Sequence, residues 1–130
     1  MKSVESYSPI TVEQLIVGAK NKEISLKILI QAIMDNNFFI ACSEKALTDK
    51  EIILPICTEF DGEKTACVFT KKEWAEVYMT ADISVVKLKA LEWFKQHPAN
   101  YGLIINPNQV ACIKFSASGI QNILKEFLFR

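Results

Sequence analysis

Ala66-Cys67-Val68-Phe69-Thr70-Lys71-Lys72-Glu73-Trp74 changes habit in the middle. Four apolar residues come first, then a hydroxyl, then charge, then a large ring. The apolar half predicts a strand running from Thr65 to Phe69. Thr70-Lys71-Lys72-Glu73 fits a capping box, in which the Thr hydroxyl takes one free N–H and the Glu reaches back for another. Trp74, Val77 and Tyr78 then recur at i, i+3 and i+4, the stripe of a short helix with Trp74 in the core. Strand, cap and helix in nine residues imply a sheet with helices packed on it.

Upstream, Asp61-Gly62 is a two-residue hairpin signal. With those residues as the turn, Glu59 faces Lys64 across the strands, an opposite-charge pair that supports the register. The outgoing strand is Ile52–Cys57. Its Pro55 lacks an N–H, which places that strand near an edge or at a bulge. Phe38–Cys42 is a continuous apolar run and reads as a strand covered on both faces, followed by a polar loop from Ser43 to Lys50. Thr11-Val12-Glu13-Gln14 is another capping box and starts a first helix with Val12, Leu15, Ile16 and Ala19 inward. Asn21 suits a break or a left-handed residue at its C-terminal end. A second helix is expected over Lys22–Asp35, with Glu23, Lys27, Gln31 and Asp35 as one narrow polar line. The apolar excess on its other sides has two readings: cover by the first helix and the sheet, or contact with another protein chain.

Downstream, Ile83–Val86 reads as a short strand. Leu88, Leu91 and Phe94 read as the inner face of a helix that Pro98 stops. On that phase Trp93 lies on the flank, where an exposed ring would mark a partner surface. Gly102-Leu103-Ile104-Ile105-Asn106-Pro107 is a strand entering a turn with Pro107 at the second position, and Val110–Phe115 returns antiparallel. Ser118 caps a last helix with Ile120, Ile123, Leu124, Phe127 and Leu128 inward. Strand, helix, strand, helix, strand from Thr65 to Asn106 implies parallel neighbours. The expected fold is α+β, one domain over residues 1–130, with a mixed sheet of about five or six strands.

The chemistry is sparse. Fifteen basic residues balance fifteen acidic ones, so no basic surface calls for nucleic acid or an anionic membrane. The longest apolar runs are about five residues against the ~20 that span a bilayer, and the N-terminus has no signal-peptide pattern. A cytoplasmic setting is expected. Cys42, Cys57, Cys67 and Cys112 lack zinc-site spacing and read as small buried hydrophobes, Cys112 beside Lys114 being the one with a cation near it. His97 precedes Pro98 at a helix end, where it caps or complements the dipole. The four glycines are scattered and form no phosphate loop. No catalytic, cofactor-binding or metal-binding residues are assigned, and the chain reads as a non-enzyme.

Three pieces in order carry a family resemblance. They are Phe38-Phe39-Ile40-Ala41 after an amphipathic helix, Val68-Phe69-Thr70 before the helix with Trp74, and Gly102–Pro107. Together they resemble the SseB-like N-terminal domain of bacterial "enhanced serine sensitivity" proteins, over roughly Leu26 to Leu128. The resemblance implies an α+β domain without agreed catalytic residues, here standing alone without the second domain some relatives carry. It also associates the chain with toxin neighbourhoods, where small cytosolic proteins act as immunity factors. Thr70 and Asn106 end strands expected to be parallel, the edge where α/β sheets form ligand crevices. Two roles are open for them: architecture, or contact with a ligand or partner. The expectation is a protein-interaction domain, an immunity or regulatory factor, that binds another protein or a second copy of itself through the Lys22–Asp35 helix and Trp93. The alternative is a small-ligand module using Thr70, Asn106 and Pro107, and an uncharacterised enzyme ranks last.

Overall fold

The computed structural model describes residues 10–43, 55–60 and 62–127. The expectations for residues 44–54, for Asp61 and for Leu128 lie outside them. The described elements are α1 (Val12–Lys20), α2 (Leu26–Met34), β1 (Asn37–Ser43), β2 (Cys57–Phe60), β3 (Glu63–Val68), α3 (Lys72–Glu76), β4 (Ile83–Lys89), α4 (Ala90–Gln96), β5 (Gly102–Ile105), β6 (Ile113–Phe115) and α5 (Ala117–Phe127).

The class is α+β, as the sequence implies, but the strands divide. A four-stranded mixed sheet runs β2-β3-β5-β6, and a two-stranded sheet pairs β1 with β4. The hairpin register is the expected one, with Glu59 opposite Lys64. Gly62 carries it at φ +78°, a conformation that suits a residue without Cβ. β3 and β5 are parallel neighbours, with Val68 opposite Ile105. β6 returns antiparallel to β5.

β4 departs from the expected parallel series. It runs antiparallel to β1, from Asn37 opposite Lys89 to Ser43 opposite Ile83. Helix α3 has five residues, about 7.5 Å of rise. That is too short to carry the chain back along the sheet for a parallel return, so β4 turns to β1 instead. The two sheets meet where Phe39 and Phe69 exchange backbone hydrogen bonds of 2.7 and 3.0 Å. Pro55 bridges Cys42 there rather than joining β2, whose edge position is where a residue without N–H is tolerated.

The helix ends show which local signals act. Thr11 forms its capping box with Gln14 as expected, with bonds of 2.9 and 3.1 Å. Asn21 takes an ordinary φ of −86°, and the left-handed residue is Lys22 at +63°. Helix α2 starts at Leu26 rather than Lys22, because Ser25 caps it by accepting the Ile28 N–H. Its Leu29, Ile30 and Ile33 are buried, while Leu26 and Ile28 are about half exposed. Helix α5 is capped by Ser116, two residues before the expected Ser118. The Glu63 carboxylate reaches across to take the Ala117 N–H at 3.1 Å. It passes over Gly102, where a Cβ would lie 2.8 Å from that carboxylate and 2.9 Å from the Phe115 carbonyl. Residue 102 therefore has no room for a side chain.

The core joins α1, α2, β1, β3, α4, β5 and α5, centred on Phe38, Trp93, Phe94, Leu103, Ile105 and Ile120. Phe38 and Phe94 stack tilted at 6.0 Å, a spacing typical of favourable aromatic pairs.

Candidate functional site

The parallel strands β3 and β5 end side by side, and each is followed by a loop. Asn106 ties the two loops together. Its backbone N–H donates to the Val68 carbonyl at 2.8 Å. Its Oδ1 accepts the Thr70 N–H at 2.8 Å, and its Nδ2 donates to Thr70 Oγ1 and to the Ala111 carbonyl, both at 2.9 Å. The side chain is fully buried with both polar atoms engaged. It sits at φ +62°, the left-handed region that Asn tolerates better than most residues. The chain then turns through Pro107, with Asn108 at φ +68° and the Gln109 N–H returning to the Asn106 carbonyl at 3.2 Å. Pro107 thus occupies the expected second turn position, and the positive φ at the third is that of a type II turn.

This clasp corrects the reading of Thr70 as a helix cap. Its hydroxyl is taken by Asn106 Nδ2, so α3 begins one residue later with Lys71 as N-cap and no side-chain cap bond. Sequence reasoning expected Thr70 and Asn106 on one edge, and the structure brings them into contact. Buried and internally satisfied, Asn106 offers no free group to a ligand.

The tryptophans exchange their expected places. Trp93 is buried in the core, because α4 begins at Ala90 and Leu88 belongs to β4, which rotates the helix phase. It presents no partner surface. Trp74 is half-buried, and Ala75 is the buried residue of α3. Lys71 Nζ lies 5.3 Å from the Trp74 ring centre, within cation–π range. Val77, the next member of the expected core stripe, is 77% exposed.

Trp74 borders a groove of about 470 Å³ that the sequence did not signal. One wall is α1 and the turn after it, with Glu13, Val17, Gly18, Glu23 and Ile24. The other is the clasped loop, with Gln109, Val110 and Ala111. Its volume falls in the range of ligand-binding clefts. Val110 is 81% exposed, and its carbonyl accepts from Lys20 Nζ at 3.3 Å. Groups that line it come from segments about 90 residues apart, so no local pattern announced it. Gly18 gives Ile24 its place: a Cβ there would lie 2.6 Å from Ile24 Cδ1. Pro107 and Asn108, on the other flank of the loop, line a second hollow of about 390 Å³.

Among the described residues, neither His97 nor any cysteine lines the groove. His97 is buried, with Nε2 2.8 Å from the Tyr101 carbonyl, to which it donates. Burial pushes its pKa down, partly opposed by that bond. Its Nδ1 and Trp93 Nε1 find no hydrogen-bond partner among the described residues. Cys42 and Cys67 are buried as expected, whereas Cys57 is exposed and Cys112 half-buried. Burial raises all four thiols, and the cation acting on Cys112 is Lys20 rather than Lys114. Among the described residues no three His, Cys, Asp or Glu side chains cluster as metal ligands. No helix among them is long and apolar enough to cross a membrane.

A search of curated proteins finds no match. A family model, the SseB protein N-terminal domain, matches residues 12–122, a span from the first residue of α1 to the middle of α5 that holds the clasp and both walls of the groove. The chain belongs to the SseB N-terminal domain family.

Proposed function

We propose that the domain is a non-catalytic protein-interaction module of the cytoplasm, an immunity or regulatory factor, and that the groove between α1 and the clasped loop is where its partner docks. The observation that carries this is Val110: an apolar side chain 81% exposed on a loop whose root is pinned by the buried Asn106. Holding an apolar side chain in water on a fixed loop lowers the ordering cost when a partner covers it. Trp74 of α3 lines the same groove, and Val77, just past the end of α3, is a further exposed apolar side chain. Among the described residues, Glu13 and Glu23 are the charged side chains lining the groove. The fitting partner is therefore another protein that presents an apolar side chain next to a lysine or arginine. The immunity or regulatory role and the cytoplasmic setting rest on the family's associations.

The test places a photo-crosslinking residue at position 110 in cells that make the protein, identifies the captured partner, and measures its affinity for purified variants. Val110→Asp and Gly18→Ala are expected to weaken binding at least about tenfold, the effect of losing one buried apolar contact. Leu26→Asp, exposed on α2 outside the groove, is expected to leave it unchanged. Equal affinities across all three variants would remove the groove from the reading. A captured second copy that dissociates on Val110→Asp would make the partner the chain itself.

A further inference from the structure

We infer that the second hollow, on the opposite flank of the Asn106–Ala111 loop, binds a small uncharged molecule with an aromatic-sized apolar body and one hydrogen-bond acceptor. The hollow is about 390 Å³ and is bounded by Ile56 and Cys57, by Cys67 of β3, by Tyr78 and Ile83, and by Pro107. That volume holds a ring with substituents. Among the described residues, no Asp, Glu, Lys or Arg lines it. A charged ligand would lose its hydration with no counter-charge in contact among those residues, which favours a neutral one.

The acceptor is matched to Tyr78. Its ring packs on Phe69 at 5.4 Å between centres, which fixes the position of the phenol. Asn108 Nδ2 donates to the phenol oxygen at 3.2 Å. The phenol O–H itself has no acceptor among the described residues, and a ligand oxygen would supply one. The two thiols complete the apolar wall. Burial raises both thiols, Cys67 up to about 12 and Cys57 less enclosed with Lys64 opposing the rise, so Cys67 serves as soft contact surface while Cys57 stays open to alkylation. The Thr80–Ile83 turn, closed by backbone bonds of 3.2 and 3.3 Å, holds Ile83 at the rim. This site shares no lining residue with the partner groove, so either can fail without the other.

Acetophenone, a neutral aromatic ketone, is the probe, and benzoate, its charged analogue of similar shape, is the control. Isoleucine methyl resonances are followed during titration. Acetophenone is expected to shift Ile56 and Ile83 and to leave Ile24 of the partner groove unmoved, while benzoate shifts none of them. Alkylation of Cys57 by N-ethylmaleimide is expected to slow about threefold at a probe concentration twice its dissociation constant, with Cys112 unaffected. Ile83→Phe fills the hollow and is expected to abolish the Ile56 shift. The thiol protection in the unaltered protein stands even if that variant folds poorly. No shift up to the solubility limit of acetophenone, equal shifts with benzoate, or shifts at Ile24 alone would overturn the inference.

Discussion

Asn106 holds Thr70 at both its backbone and its side chain, across 36 positions of sequence. One amide thereby closes the ends of two parallel strands and fixes the loop that follows each. Asn106→Ala leaves the Thr70 N–H and the Ala111 carbonyl without partners and keeps an unfavourable φ for alanine. The expected loss is about 2–6 kcal/mol, since each of the two buried groups left unpaired costs about 1–3. Asn106→Gly relieves the backbone but not the bonds, so it should fall between alanine and the native residue. Thr70→Ser keeps the hydroxyl and should cost least, while Thr70→Val should cost about 1–2 kcal/mol. Urea unfolding midpoints of the four variants check the order, and a Thr70→Val loss no larger than that of Thr70→Ser would mean that the hydroxyl is not engaged.

The tryptophans give a spectroscopic check of the helix phases. Trp93 is fully buried and Trp74 half-buried. Trp74→Phe should leave a blue-shifted emission that acrylamide scarcely quenches. Trp93→Phe should leave a redder emission that acrylamide quenches readily. Truncating the core ring, Trp93→Ala, should cost about 3–5 kcal/mol. Trp74→Ala should cost about 1 kcal/mol or less, as for a partly exposed side chain. Reversed quenching would restore the phase that the Leu88-Leu91-Phe94 stripe suggested.

These two cases mark how far the sequence could be read. Signals settled by neighbours in the chain came through: the Thr11 capping box, the Glu59–Lys64 register and the turn at Pro107. Thr70 has the same local signal as Thr11, but a buried amide 36 residues away competes for its hydroxyl and wins. Trp93 failed because α4 is seven residues long. Two turns of helix give too few apolar positions to fix a phase, and assigning Leu88 to the helix rather than to β4 rotated the whole stripe. The groove was illegible because α1, α3 and the clasped loop meet only in the folded chain.

His97 should make stability fall with acid. Burial, partly opposed by the bond to Tyr101, holds its pKa below the ordinary 6.5. Between the native value and 6.5 the unfolded chain binds a proton that the folded chain does not, so stability drops as pH falls. The contribution is complete above about pH 6.5 and is lost as pH descends to the native value, below which the loss is constant. His97→Gln removes the titration and keeps an N–H for the Tyr101 carbonyl. Its urea midpoint should decline less than that of the native protein from pH 7.5 down to pH 5.5. Parallel curves over that window would show that His97 takes up its proton at the same pH in the folded and unfolded chain.

The cysteines should separate by burial rather than by their similar sequence settings. Cys57 is exposed on edge strand β2, and Lys64 partly offsets the rise that burial imposes on its thiol. Cys112 is half-buried, with Lys20 acting in the same sense. Cys67 is enclosed on β3 and pushed up to about 12, with the neighbouring Cys57 and Cys112 adding to the burial effect. Because the thiolate is the nucleophile, iodoacetamide at pH 8 should modify Cys57 first and Cys112 more slowly. Cys67 and Cys42 should react only when the chain unfolds. The same shift has a stability consequence of opposite sign to that of His97. The folded state favours the neutral Cys67 thiol, so its contribution is complete below about pH 9 and is lost as pH rises toward 12. Cys67→Ala removes that titration and should flatten the alkaline limb of the stability curve. Peptide mapping after timed alkylation reads the order directly. Modification of native Cys67 as fast as Cys57 would require β3 to open at the point where it pairs with β5, and the clasp at Asn106 would then no longer be the anchor of the groove.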